Sequence, residues 1–168
     1  MEFTKHQLRI VPFRPELGAL FRSINQEWIE AMFDMEESDR ALLDMPIKSV
    51  IEPGGRIWFV EHSELGIVGT CALMKRREGV FELTKMGVLQ SARGAKAGEF
   101  LLAAVLEEAR GMELDSLFLL TSTKCEAAIH LYLKHGFEHD AEIMREFGAS
   151  YVRCDVAMRL TGPGGPHS

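Results

Sequence analysis

The sequence predicts a single α/β domain in which a mixed, mostly antiparallel sheet of about seven strands is flanked by helices. Three observations predict it. Apolar runs of strand length recur along the chain. Helical apolar spacing separates some of these runs but not others, so hairpins and crossovers must coexist in one sheet. And 168 residues with 46% hydrophobic content suffice for one core rather than two. The domain is assigned residues 1–160; the Gly/Pro-rich TGPGGPHS of residues 161–168 is expected to be a disordered tail.

The elements follow in order. Leu8 to Phe13 alternates as a strand. Pro15-Glu16 opens a helix carrying Leu17, Leu20, Phe21, Ile24, Trp28 and Ala31 or Met32 at helical spacing. A second short helix starts after Ser38 as N-cap and stops before Pro46. Turns at Glu52-Pro53-Gly54-Gly55, Glu64 to Gly66 and Glu78-Gly79 delimit three strands, Arg56 to Glu61, Ile67 to Lys75 and Val80 to Leu89, which form an antiparallel meander. Leu101, Val105, Ala109 and Met112 make one apolar stripe on a helix ending near Gly111. Asp115 to Ser122 reads as a buried strand, Glu126 to His135 as a helix closed by Gly136, and Tyr151 to Leu160 as the last strand. The segment from His139 to Ser150 shows no period that selects an element. The order is β-α-α-β-β-β-α-β-α-β-β, without internal repeats.

Composition removes several classes of function. With 25 acidic and 19 basic residues and a net charge of -6, bulk attraction to nucleic acid is not expected, and any anion site must be local. Cys71, Cys125 and Cys154 are scattered, with no CxxC and no cationic leader, which reads as a reduced, cytoplasmic chain without structural metal. His130, His135 and His139 do not make a metal site, because Gly136 breaks the helix between them. No apolar run approaches the roughly 20 residues of a membrane span. Lys75-Arg76-Arg77 reads as a solvated strand end.

One local anion site is legible. After the strand ending at Val88-Leu89, the chain runs through Arg93-Gly94-Ala95-Lys96-Ala97-Gly98 directly into an amphipathic helix. Free N–H groups and the helix dipole at such an N-terminus favour negative charge, and Arg93 and Lys96 add point charges. A diphosphate fits there without a basic protein around it. The Walker and dinucleotide patterns GxxxxGK[ST] and GxGxxG are both absent, so a nucleotide-phosphate enzyme is disfavoured.

The stretch Val88-Leu89-Gln90-Ser91-Ala92-Arg93-Gly94-Ala95-Lys96-Ala97-Gly98 resembles the acyl-CoA signature of the GCN5-related N-acetyltransferases (GNAT). Ala128-Ile129-His130-Leu131-Tyr132-Leu133-Lys134-His135-Gly136-Phe137 is similar to that family's A-x-x-LY-x-x-x-GF helix end. Both occur in the family's order, and the resemblance covers roughly residues 8 to 160. It implies the GNAT acyltransferase fold of bacterial type and acetyl-CoA as donor. The implied cofactor-binding positions are Met86, Gly87, Val88, Arg93, Gly94, Ala95, Lys96, Ala97, Gly98 and Cys125. The chain departs from the pattern at three places. Lys96 stands where the family usually has its first motif glycine, and Cys125 where many relatives have a cofactor-contacting asparagine. Leu120 occupies the position of a glutamate base found in some relatives.

The chemistry can be built from the residues beside the resemblance. A pantetheine arm, extended and amide-rich, can pair with a strand edge at Met86, Gly87 and Val88, with Gly87 removing a side chain where close approach is needed. Acetyl transfer needs a neutral amine, a polarised carbonyl and a proton for the departing thiolate. Glu82, sharing a face with Thr84, Met86 and Val88 under ideal alternation, is the candidate base, acting through water; a salt-bridged strand glutamate is the alternative. The Val88 N–H is the candidate donor to the thioester oxygen. Tyr132 is the candidate acid for the thiolate, with a core aromatic as the alternative. Cys125 reads as a small hydrophobe rather than a nucleophile. Trp28, Met32 and Phe33 read as core from their spacing; the resemblance implies that part of this face walls the acceptor pocket. The leading expectation is N-acetylation of a primary amine by direct attack on the thioester. A non-catalytic acyl-CoA sensor of the same fold is the alternative. The acidic chain favours a small cationic acceptor, with a protein amine also open and a homodimer among the allowed assemblies.

Overall fold

The computed structural model describes residues 7–94 and 96–161. The expected tail from residue 162 onward and Ala95 lie outside the described residues. Seven strands form one sheet in the order β1-β2-β3-β4-β5-β7-β6. They are β1 (Leu8–Pro12), β2 (Arg56–His62), β3 (Gly66–Arg77), β4 (Val80–Val88), β5 (Ser116–Thr121), β6 (Phe137–His139) and β7 (Val156–Leu160). Neighbours are antiparallel except β4 and β5, which run parallel because a helix, α3 (Ala97–Arg110), crosses between them. The other helices are α1 (Gly18–Met32), α2 (Glu37–Asp44), α4 (Glu126–Lys134) and α5 (Ala141–Phe147).

The predicted class holds, and three local features add to it or correct it. Helix α5 fills the stretch that the sequence left unassigned. Asp140 caps it by accepting from the Ile143 N–H at 3.0 Å, and Ile143 and Phe147 are buried. Seven residues make too few turns for a hydrophobic period to stand out. Helix α2 is capped by Glu36 rather than Ser38. The Glu36 and Asp39 carboxylates form a reciprocal capping box, while the Ser38 hydroxyl donates to the Ser150 carbonyl at 3.3 Å. A π-helical turn, Ile47–Ile51, joins α2 to β2.

Period-2 alternation sorts the core onto two faces. Trp58, Val60, Cys71, Leu73, Phe81 and Leu83 point to the face covered by α3 and α4, packing with Leu101, Val105 and Tyr132. Ile57, Phe59 and Ala72 point to the opposite face, under Phe21 and Ile29 of α1 and Leu42 and Leu43 of α2. On that same face α5 covers Val80, Phe118 and Ala157.

Strand β4 breaks the alternation once. Thr84 faces Ala72 and Gly87 faces Thr70, so Lys85 and Met86 together oppose Cys71 alone. This is a β-bulge, and Lys85 sits in it at φ +52°. The extra residue inverts the parity beyond it. Glu82, Thr84 and Lys85 stay on the α1/α2/α5 side, whereas Met86 and Val88 join the α3 side. The expectation that Glu82 shares a face with Met86 and Val88 is therefore overturned, because ideal alternation does not survive a bulge.

Candidate active site

The pairing of β4 with β5 stops at Glu82↔Phe118. Beyond it β5 pairs with β7 from Phe118 to Thr121, and β4 continues from Leu83 to Val88 paired with β3 alone. The two parallel strands part, and a narrow cleft with a volume of about 50 Å³ opens between them. It reaches both faces of the sheet. Leu83, Met86, Leu119, Cys125 and Tyr132 line it toward α4, and Trp28, Phe33, Lys85, Tyr151 and Arg153 line it toward α1 and α2. On the second side it adjoins a wider cavity of about 550 Å³ that shares Phe33 and Arg153 and adds Met32, Glu30, Asp34, Glu36 and Lys124.

Tyr132 enters from α4, buried and edge-on to Phe137 at 5.8 Å between ring centroids. Among the described residues its hydroxyl has no hydrogen-bond partner. Burial, reinforced by the nearby Cys71 and Cys125 thiols, pushes its pKa well above the usual phenol range, so the group is a donor at any physiological pH. Cys125 stands at the head of α4, its N–H bonded to the Ser122 carbonyl at 2.9 Å, and its side chain is half-buried at the cleft. Cys154, across the cleft, is pushed up to about 12 by burial and holds its proton. It offers no thiolate nucleophile.

Glu82 is not among the residues that line the cleft. It is buried on the α5 side, accepting from the Arg76 guanidinium at 2.5 Å. Arg76 in turn bonds Ser150 Oγ at 3.2 Å and lies over the Phe147 ring at 4.7 Å. Burial pushes the Glu82 carboxyl up, against the pull of Arg76. The pair corrects two expectations: Arg76 is no solvated strand end, and Glu82 follows the salt-bridged alternative. Gly87 is corrected as well. A Cβ there would fall inside the indole of Trp28, 2.5 Å from Nε1, so the space that glycine leaves is filled by a side chain of α1.

Gly94 lies at φ +89° and Lys96 at φ +60°, and Lys96 gives α3 no side-chain cap. Among the described residues no side chain caps the first N–H groups of the helix. Gly98 stands 3.7 Å, measured from a built Cβ, from Val88 and 4.0 Å from Met86, which sets this helix N-terminus beside the free end of β4. Glu99 in the same turn is tied to Lys134 at 2.7 Å and His135 at 2.8 Å at the end of α4.

The sequence reading missed the most connected group. Asp39 is fully buried and accepts from Glu36 N at 2.9 Å, Lys85 Nζ at 2.7 Å, Arg153 Nη1 at 2.6 Å and Arg153 Nη2 at 2.8 Å. Lys85 also donates to the Tyr151 hydroxyl at 3.0 Å. The one available signal was a lysine inside the apolar strand Val80-Phe81-Glu82-Leu83-Thr84-Lys85-Met86, where a charge requires a buried partner.

A sheet splayed between two parallel strands, with an uncapped helix N-terminus at the free end of one, defines the class of acyl-CoA acyltransferase folds. The chain belongs to the acetyltransferase (GNAT) family, whose model matches residues 19–137. It is 32% identical over 109 residues to the uncharacterized N-acetyltransferase YjgM of Escherichia coli K12, spanning 64% of this chain and 64% of that protein's length. Its fold is that of a GNAT acetyltransferase from Staphylococcus aureus Mu50, with a TM-score of 0.78 at 19% identity over 90% of this chain and 97% of that one. It likewise matches a spermidine N-acetyltransferase from Vibrio cholerae in complex with CoA and spermine, with a TM-score of 0.69 at 17% identity, covering 92% and 94%.

Proposed function

We propose that the protein is an acetyl-CoA-dependent N-acetyltransferase that acetylates a primary amine of a small-molecule acceptor by direct attack on the thioester. The observation that carries this reading is the cleft through the sheet, which joins the α3 and α4 side, suited to the donor, to the wider cavity on the α1 and α2 side, suited to the acceptor. The diphosphate takes the first N–H groups of α3, from Ala97 and Gly98, with Arg93 and Lys96 adding charge. The pantetheine amides pair with the edge of β4 at Met86 and Val88, which β5 has vacated, and pass Cys125.

In the transfer the amine nitrogen forms a bond to the thioester carbon, and the C–S bond breaks with its electron pair on sulfur. The Val88 N–H polarises the carbonyl oxygen. Tyr132 donates a hydrogen bond to the departing thiolate; as the sulfur takes that proton, the phenol is restored by the proton that the amine sheds, relayed through water, because burial disfavours a tyrosinate. No carboxylate lines the narrow cleft among the described residues, and Glu82 is held by Arg76, so the proton shed by the amine leaves through water. Glu30 and Asp34 at the outer cavity, where Glu36 is already paired with Arg153, favour a cationic acceptor, in keeping with the spermine complex of the Vibrio cholerae relative.

The test is release of free CoA thiol across a panel of monoamines, diamines, polyamines and amino acids, with thermal unfolding followed in parallel. Acetyl-CoA should raise the unfolding midpoint, and thiol release should require an amine. An unmoved midpoint at millimolar acetyl-CoA removes the cofactor from the proposal. A raised midpoint without turnover on any amine makes the protein an acyl-CoA sensor.

A further inference from the structure

We propose that Asp39 is a positioning residue of the transfer: one buried carboxylate that fixes the β4 bulge through Lys85 and the acceptor wall through Arg153. The proposal rests on the acetyltransferase reading above. Asp39 does not line the cleft, whereas Lys85, Tyr151 and Arg153 do. Its effect on bound molecules must pass through them.

Two arms leave the carboxylate. The first ends at Lys85, the residue that makes the bulge. A lysine at φ +52° is a strained backbone, and such strain persists only where the surroundings over-determine it. Here they are the Asp39 ion pair and Tyr151, which receives the hydrogen bond of Lys85 and lies 4.4 Å below its ammonium. Asp39 and Tyr151 hold Lys85 protonated against burial, which keeps the clamp charged. The bulge sets the parity of Met86 and Val88, and so decides which backbone donors face the thioester.

The second arm is the two-pronged contact with Arg153. That guanidinium lies over Tyr151 at 4.8 Å, Phe33 at 5.7 Å and Trp28 at 6.0 Å, the aromatic wall of the cleft, of which Phe33 also borders the outer cavity. Glu36, one turn before Asp39, also bonds the Val152 and Arg153 N–H groups, which ties the same loop to the start of α2. A buried ion cluster is weak evidence of stabilisation, since apolar replacements often do as well. Its connections point instead to geometry at the two substrates.

The arms predict a separation of kinetic parameters that a purely structural role would not produce. Lys85→Gly tolerates the positive φ but loses the clamp, and should lower kcat about 10-fold while the amine KM stays within about 2-fold. Arg153→Gln frees the aromatic wall and should raise the amine KM about 10-fold with kcat much less affected. Asp39→Asn should do both. Acetyl-CoA should still raise the unfolding midpoint of all three, because the α3 N-terminus is untouched. If wild type shows neither binding nor turnover, the acetyltransferase reading fails first and separately. The positioning role is overturned if Asp39→Asn keeps wild-type kcat and KM at matched folded concentration. It is also overturned if Lys85→Gly and Arg153→Gln move the same parameter, a comparison that stands even if Asp39→Asn does not fold.

Discussion

Gly87→Ala tests the reading of the cleft wall with a single methyl group. Gly87 is not in the left-handed region, so backbone strain does not enter and the effect comes from space alone. The new Cβ would lie 2.5 Å from Trp28 Nε1, 3.2 Å from Cγ and closer still to Cδ1, so the indole must move. Overpacking of this kind costs about 1–3 kcal/mol. The indole cannot move freely, because its N–H donates to Asn25 Oδ1 at 2.9 Å, and Asn25 is buried with its own amide bonded to the Phe21 carbonyl. Breaking that bond leaves a buried carbonyl acceptor unmet, worth a further 1–3 kcal/mol or so. The total of about 2–6 kcal/mol is a large part of the roughly 5–15 kcal/mol by which domains are stable. Urea unfolding followed by circular dichroism measures it, and the same change in a Trp28→Leu background isolates the cause. There Gly87→Ala should cost less than about 0.5 kcal/mol, giving a coupling of roughly 1.5 kcal/mol or more. A wild-type cost below about 0.5 kcal/mol, or an equal cost in both backgrounds, would refute the claim that Trp28 occupies the space at Gly87.

Three further outcomes are expected. Gly98→Val places its Cβ in ordinary contact with Val88 and Met86, so stability should change by no more than about 1 kcal/mol. The acetyl-CoA shift, worth about 2.7 kcal/mol at 100 times Kd, should nevertheless vanish; a retained shift in thermal unfolding would place the diphosphate elsewhere. Tyr132→Phe removes a hydroxyl that no described residue bonds, so the fold and cofactor affinity should persist while thiol release falls about 10²-fold. Equal rates would retire Tyr132 as the donor to the thiolate. Asp39 supplies an acid dependence. Burial opposes its ionisation, but the hydrogen bonds of Arg153 and the charge of Lys85 outweigh it and hold its pKa well below the usual range. A depressed folded value means that the unfolded chain takes the proton first, so this stability is present in full above about pH 5 and is lost as pH falls below about 4. Urea midpoints at pH 7, 4 and 3 should fall less steeply for Asp39→Asn than for wild type, and parallel curves would contradict the ionised assignment.

What the sequence determined by itself was everything that repeats locally. Period-2 runs and Gly-centred turns gave five strands to within two residues, whereas the last, read from Tyr151, begins only at Val156 because residues 151–155 form a turn. Helical stripes such as Leu101, Val105 and Ala109 gave the core face of α3, and the glycines around Lys96 gave the uncapped helix start. These signals are legible because burial of one face and the left-handed preference of glycine act within a few residues. Only the tertiary structure decided the site. The Lys85 bulge moved Met86 and Val88 away from the face of Glu82, and nothing in the alternation announces a bulge before Lys85 meets Asp39, 46 residues earlier in the chain. Arg76 found Glu82, Trp28 filled the space at Gly87, and Arg153 closed on Asp39 across 114 positions. Each is a pairing of charge or shape between segments that no local period connects, so partner and geometry exist only once the sheet has brought them together.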